Sequence, residues 1–202
     1  MKRLWPGWLL CVLTAGLFGY MFCVALPAIS VLLGGMELPD QLLLGYDAEG
    51  ARALFAAFVS DHAAAQAIGR ISASEAYLSF HAVYDLVFPP LLAASVGFSA
   101  FAALFRPAQP GQTPRIVGVG FGLVLALSFT YLACDFVENA VADSMFGPKA
   151  LKLAFNEPFV FVLQVLTRGK FASLGLAFGL TAALWVWRWK NARGVAIPLA
   201  DT

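Results

Sequence analysis

Apolar residues are grouped along this chain into four long runs that polar segments separate. The runs extend over about 8–33, 76–105, 116–141 and 171–189. A helix of roughly 20 apolar residues is long enough to cross the hydrocarbon core of a bilayer. The pattern therefore predicts an all-α integral membrane protein whose residues 1–202 form one membrane domain, an antiparallel bundle of four transmembrane helices.

The polar stretch after the first run contains a segment with apolar residues at helical spacing. Asp47 is a suitable N-cap for it and Gly69 a suitable end. Leu54 and Phe58 fall on one side of this helix. We therefore expect an amphipathic helix over about 48–68, lying on the membrane surface or covering the end of the bundle.

The last apolar block, from Leu151 to Trp189, is too long for one helix. Asn156-Glu157-Pro158 interrupts it, and Lys170 follows further on. We expect a partly inserted segment over about 151–166 and a fourth span that starts near Lys170.

The first run is longer than a signal-peptide core and lacks a clear cleavage site, which predicts an uncleaved first span.

Composition agrees with a membrane protein and narrows the functional classes. Hydrophobic residues make up 60% of the chain and charged residues only 12%, against about a quarter charged in soluble domains. The net charge of +1 gives no basic surface for nucleic acid. The three cysteines, Cys11, Cys23 and Cys134, lie in apolar runs without a CxxC pair, so we expect buried thiols and no cofactor.

The positions of Lys and Arg predict the orientation. In a four-span chain both termini lie on one side, and basic residues near short loops favour the cytoplasm. The terminal side carries one acid, Asp201, and seven basic residues: Lys2, Arg3, Arg106, Arg115, Arg188, Lys190 and Arg193. We expect a multi-pass protein of the cell inner membrane with both termini cytoplasmic and the amphipathic helix on the other side.

Small residues in the spans indicate close helix packing. Gly175 and Gly179 form a GxxxG pair in the fourth run, and Ala15 and Gly19 a similar pair in the first. Such pairs let helices approach closely in lipid. They predict tight packing within the bundle or, alternatively, the seam of a homodimer or of another membrane partner.

Four charged residues lie within or at the edge of the runs: Asp85, Asp135, Glu138 and Lys170. Charges at membrane depth cost several kcal/mol, so they face the bundle interior and usually pair. By position in their spans, all four are expected in the non-cytoplasmic half of the bundle. The sequence therefore predicts one shared polar cluster.

Neighbouring residues extend this cluster along two helix faces. Tyr77 and His81 precede Asp85 at intervals of four, and Asn139 follows Asp135 by four. Pro89 lacks an N–H group, which frees the backbone carbonyl of Asp85. Freed carbonyls beside a carboxylate are typical of polar ligand sites in membrane proteins.

Several functions remain open for the cluster. The leading hypothesis is a pocket that binds a small amphiphile, a lipid or a cation, with Tyr46 and Arg70 as a lid, because three acids exceed one base. Alternatively, His81 and Asp85 perform acid–base catalysis on a lipid-like substrate. In a third interpretation the cluster is a satisfied network in a structural assembly subunit. The spacing matches no metal motif, so no metal is predicted.

A series of short motifs resembles a family of small four-helix bacterial membrane proteins of unassigned function. They are Leu38-Pro39-Asp40, Gly45-Tyr46, Gly69-Arg70, Tyr77-Leu78, Asp85 with Phe88-Pro89, Asp135-x-x-Glu138-Asn139 and Thr167-x-x-Lys170. The resemblance implies that these polar residues form a shared site, but it implies no activity. The emopamil-binding fold is similar in architecture alone, with four spans and buried acids.

Overall fold

The computed structural model describes residues 4–43, 45, 47–105 and 115–193, and within them every regular element is a helix. Four helical stretches are long and apolar enough to cross a membrane. We call them spans 1 to 4: Trp5–Leu32, Ala73–Leu104, Val117–Phe146 and Glu157–Lys190. They confirm the prediction of an all-helical protein with four membrane-span-like helices.

The spans and their connections contain seven α-helices among the described residues. In chain order these are α1 (Trp5–Tyr20), α2 (Leu26–Leu32), α3 (Ala48–Ile68), α4 (Ala73–Phe80), α5 (Leu86–Leu104), α6 (Arg115–Phe146) and α7 (Glu157–Arg193). Span 1 combines α1 and α2, and span 2 combines α4 and α5. Span 3 lies in α6 and span 4 in α7.

Spans 1 and 2 each contain one π-helical turn, at Met21–Ala25 and His81–Asp85. Each turn lies just before a proline, Pro27 or Pro89, which has no N–H for the carbonyl four residues earlier. A π-turn accommodates such a defect within a helix. In span 2 it also places His81 and Asp85 at opposite ends of the widened turn.

Side-chain contacts show that consecutive spans run antiparallel. The rings of Trp8 and Phe98 lie 5.4 Å apart near one end of spans 1 and 2, and those of Tyr20 and Tyr84 lie 5.5 Å apart further along. Chain numbers thus rise in one helix as they fall in the other. Span 4 runs parallel to span 2, as the hydrogen bond from Trp185 to Ser99 indicates.

Helix α3 covers one end of the bundle. Its N-cap Asp47 accepts a hydrogen bond from the backbone of Gly50, and Gly69 ends it with a positive φ of 69°. Leu54 and Phe58 are fully buried, and Phe58 contacts the rings of Tyr77 and Phe146. Of the two positions considered for this helix, the structure favours a cover on the bundle, and we call this the α3 end.

The fourth apolar block is one helix rather than two pieces. Instead of a partly inserted segment over 151–166, the structure has a short 3-10 turn at Ala150–Lys152 and then α7 without interruption. Pro158 lies in the first turn of α7, where a missing N–H costs no hydrogen bond. Glu157 beside it is favourable at the positive end of the helix dipole. Lys170 therefore lies well inside span 4 and does not begin it.

The GxxxG pair of span 4 is not used for packing within the bundle. A Cβ atom added to Gly175 or Gly179 would meet no heavy atom within 4 Å, and the same holds for Gly19 in span 1. The close approach occurs at Gly169 instead, where an added Cβ would lie 3.4 Å from the Cys134 sulfur. This glycine lets span 4 come close to span 3 beside Lys170.

Candidate functional site

Lys170 lies between two carboxylates of span 3. Its Nζ is 3.2 Å from Oδ1 of Asp135 and also pairs with Oε2 of Glu138. Thr167 donates its hydroxyl to Glu138, and the amide of Asn139 lies 3.5 Å from Asp135. All five residues are buried; we call them the Lys170 group. Their mutual pairing compensates the desolvation of the charges.

His81 lies among three carboxylates from three different parts of the chain. Its Nδ1 is 2.6 Å from Oδ1 of Asp143 in α6. Its Nε2 faces Asp40 at 3.6 Å and Asp85 at 3.7 Å. The Tyr77 hydroxyl donates to Asp40 over 2.8 Å. We call these five residues the His81 group.

Asp40 belongs to the segment between span 1 and α3, and its charge is stabilised by its neighbours. Burial raises the pKa of its carboxyl, but His81, Lys170 and the hydrogen bond from Tyr77 together hold that pKa well below its usual range. The fold supplies Asp40 through a 3-10 turn at Pro39–Gln41.

Most of the residues predicted for the site come together in these two groups. Tyr77, His81 and Asp85 lie in the His81 group, and Asp135, Glu138, Asn139 and Lys170 in the Lys170 group.

The predicted lid does not form in this way. Arg70 pairs with Asp61 of α3 and donates to the carbonyl of Ile71, because the turn after α3 brings it back over its own helix. Asp61 also accepts from the backbone of Ala73, which ties α3 to the start of span 2. Tyr46, the other predicted lid residue, lies outside the described residues.

Asp143 is an addition to the sequence prediction, whereas Asp40 and Thr167 entered that prediction only through the family motifs. Asp143 follows Asp135 by eight residues, so the helical spacing that indicates Asn139 would also have indicated Asp143. Thr167 lies almost one turn before Lys170, and both side chains contact Glu138. Asp40 carries no periodic signal, since it lies in a loop whose path only the fold defines.

A cavity of about 560 Å³ extends from the polar groups along the inside of the bundle. Asp40, Asp85, Asp135 and Lys170 line its polar end. The rest of its wall is mainly apolar and aromatic, and includes Phe18, Leu92, Leu174 and Phe178. Small-molecule sites in proteins have volumes of about 300–1,000 Å³, so this cavity is large enough for a ligand.

The cavity is long and opens towards the surroundings of the bundle. On span 1 its lining begins at Trp8 and ends at Leu26, a distance of about 27 Å along a helix. Phe18, Phe22 and Phe178 line it and are still 51%, 46% and 49% exposed. Since span 1 packs mainly on span 2 and span 4 mainly on span 3, the opening lies between spans 1 and 4.

Acidic groups outnumber basic groups at the polar end of the cavity. Five carboxylates belong to the two groups, from Asp40, Asp85, Asp135, Glu138 and Asp143, against Lys170 and the ionisable His81. The Lys170 group contains two carboxylates and one ammonium, and the His81 group contains three carboxylates and one imidazole. Buried charges of one sign repel one another strongly, so this arrangement is suited to a further cation or to a ligand that donates hydrogen bonds.

Comparisons with protein-family models, with curated proteins and with solved structures find no match for this chain. The family resemblance in its motifs remains a prediction. The function is therefore inferred from the chemistry of the site itself.

Proposed function

We propose that this protein binds one amphiphilic molecule of the lipid class, with its apolar chain in the cavity and its polar head against Asp85, Asp135 and Lys170. The shape of the cavity carries this proposal. It joins a buried polar end to a long apolar wall within one continuous space, which is the distribution of polarity found in an amphiphile.

The head of the ligand would meet groups that are already ordered. Lys170 is fixed by Asp135 and Glu138, and Tyr131 lines the cavity beside them. Ordered polar groups reduce the entropy lost on binding. Asp85 offers an additional acceptor, since its Oδ2 is buried and has no hydrogen-bond partner among the described residues.

The position of the protein in the membrane forms part of the proposal. The end of the bundle opposite α3 carries Arg188, which donates to the carbonyl of Ala102, and the exposed Lys190. Trp185 and Trp189 lie near them in chain and are typical of a membrane interface. In the orientation we propose, this end is cytoplasmic, α3 faces the outside of the inner membrane, and the polar site opens in the outer half of the bilayer.

Retention of a lipid through gentle extraction tests the proposed function. Native mass spectrometry of the detergent-extracted protein should show a bound amphiphile on the wild-type chain. The Ala15→Phe variant fills the cavity from span 1, because Ala15 lines it, and should lose the ligand.

Val12→Phe is the matched control for this variant. Val12 lies one turn before Ala15 on the same helix, is 67% exposed and lies outside the cavity wall, so it should retain the ligand. A wild-type protein free of lipid, or equal retention in both variants, would contradict the proposal.

One observation favours a second candidate, a membrane-embedded enzyme. Asp85 lines the cavity while His81 lies behind it within 3.7 Å, an arrangement that could move a proton to a bound lipid-like substrate. In this case the ligand found in the wild type should be converted by the protein. Asp85→Asn should abolish turnover while the ligand still binds.

A further inference from the structure

Two buried side-chain atoms in the His81 group are not satisfied by hydrogen bonds within the described part of the chain. Its Nε2 is buried and has no hydrogen-bond partner among the described residues, and the same is true of Oδ2 of Asp85. The distances of 3.6 and 3.7 Å from Nε2 to the two carboxylates exceed a normal hydrogen bond. His81 is only 5% and Asp85 only 6% exposed, so water does not readily satisfy these atoms.

The geometry points to a divalent first-row transition metal ion, represented by Zn²⁺, held by Asp40, His81 and Asp85 at the polar end of the cavity. One donor atom from each residue lies within 4.8 Å of the others. With metal–nitrogen and metal–oxygen bonds of about 2.0–2.2 Å, donors in a tetrahedral site are roughly 3.4 Å apart. The two distances from Nε2 exceed this by only a few tenths of an ångström, and the donor oxygens of Asp40 and Asp85 lie within 4.8 Å of each other.

Asp143 gives His81 the orientation that a metal ligand needs. Its Oδ1 lies 2.6 Å from Nδ1, and in the neutral imidazole this contact favours the proton on Nδ1 and leaves the lone pair of Nε2 towards Asp40 and Asp85. A carboxylate on the second nitrogen of a ligating histidine is a recurrent feature of metal sites. Tyr77 acts similarly on Asp40, because its hydroxyl donates to the oxygen that faces the site.

Charge balance supports a divalent ion over a protonated His81. With Asp143, the His81 group contains three carboxylates, so a divalent ion beside a neutral imidazole leaves one negative charge, whereas a protonated imidazole alone leaves two. A protonated imidazole would place its Nε2–H towards acceptors that are too distant to accept it well. Sequence spacing alone predicts no metal, because Asp40 joins the other two ligands only through the fold.

The fourth metal position faces the cavity. Both carboxylate ligands line the cavity wall, and a site with three protein ligands keeps one position for water or for a ligand group. Metal binding does not depend on the proposed function, but a bound amphiphile would bring its head to this position.

Metal analysis of the full-length protein tests the site directly. The protein is purified in detergent with an affinity tag that contains no histidine, stripped with a chelator and then exposed to Zn²⁺ alone. We expect about one zinc ion per chain to survive gel filtration, and Co²⁺ in its place to show the d–d absorption of a tetrahedral site. Mn²⁺ or Fe²⁺ bound in place of zinc would support the site and reassign its ion.

His81→Gln should lower zinc affinity by at least about 100-fold. His62→Gln is the matched control. His62 is the only other histidine in the sequence, forms hydrogen bonds with Ser72 and Gln66, and lies apart from the site. Failure of the wild-type protein to retain stoichiometric metal would overturn the inference, as would equal retention by both variants. The wild-type result decides the matter even if His81→Gln does not fold.

The cavity variant separates this inference from the proposed function. Ala15→Phe should lose the amphiphile and keep the metal, since Ala15 lies on span 1 away from all three ligands. A wild-type protein with metal and without lipid would refute the proposed function alone. A protein with lipid and without metal would refute the metal site alone.

Discussion

The imidazole of His81 and the carboxylate of Asp143 form a short contact of 2.6 Å between the π-turn of span 2 and the end of span 3. The contact fixes the histidine ring, whose other nitrogen then faces Asp40 and Asp85. Asp143 is itself 30% exposed, so it connects the buried site with the edge of the bundle. This pair therefore orients the site without lining the cavity.

Removal of the Asp143 side chain should weaken the metal site without abolishing it. For Asp143→Ala we expect a 10- to 100-fold loss of zinc affinity, in the range found for carboxylates that support a ligating histidine. Equilibrium competition with a chromogenic chelator measures this loss. Asp143→Asn keeps an acceptor for Nδ1–H and should lose less; an Ala variant with wild-type affinity would show that Asp143 has no orienting role.

Lys170 should contribute more to stability than either of its partners. Lys170→Met leaves Asp135 and Glu138 buried without their cation, which should cost about 3–5 kcal/mol of unfolding free energy. Asp135→Asn leaves Lys170 paired with Glu138 and should cost only roughly 1–2 kcal/mol, while weakening retention of the amphiphile. Denaturation in detergent, followed by circular dichroism, gives both values. Equal losses for the two variants would mean that Asp135 is the main partner of Lys170.

Gly45 should be the most sensitive of the glycines with positive φ. Its φ is 74°, and an added Cβ would lie 3.3 Å from the backbone of Gln164. Gly45→Ala should lower the free energy of unfolding by about 1 kcal/mol or more, because backbone strain and crowding against α7 add together. Gly34→Ala has a similar φ of 70° with open space around it and isolates the backbone contribution. If Gly34→Ala costs as much, the contact with α7 has no energetic weight.

Cysteine labelling should establish the orientation. A cysteine in place of the exposed Lys152 lies at the α3 end of the bundle, and one in place of Lys190 at the opposite end. In intact cells a membrane-impermeant maleimide should label the Lys152→Cys variant, and the Lys190→Cys variant only after lysis. The native cysteines lie within the spans, and the wild-type chain gives the background. The reverse pattern would refute cytoplasmic termini.

The four span-length helices could be predicted from hydropathy, because runs of apolar residues long enough for a bilayer have few alternatives. The position of Asp135, Glu138 and Lys170 in one cluster also followed, since buried charges seek partners. The break placed before Lys170 was wrong, because Pro158 at the start of a helix is as favourable as it is disruptive inside one. Asp40 could be assigned only through the family motifs, because no periodic pattern indicates where a loop residue lies.

Under the proposed function, the opening between spans 1 and 4 would determine which concentration controls occupancy. A ligand that enters beside Phe18 and Phe178 would come from the bilayer and not from water. The site would then equilibrate with the mole fraction of the amphiphile in the surrounding leaflet. A compound that is almost insoluble in water could saturate the protein, and its apparent affinity would change with the amount of membrane in the assay.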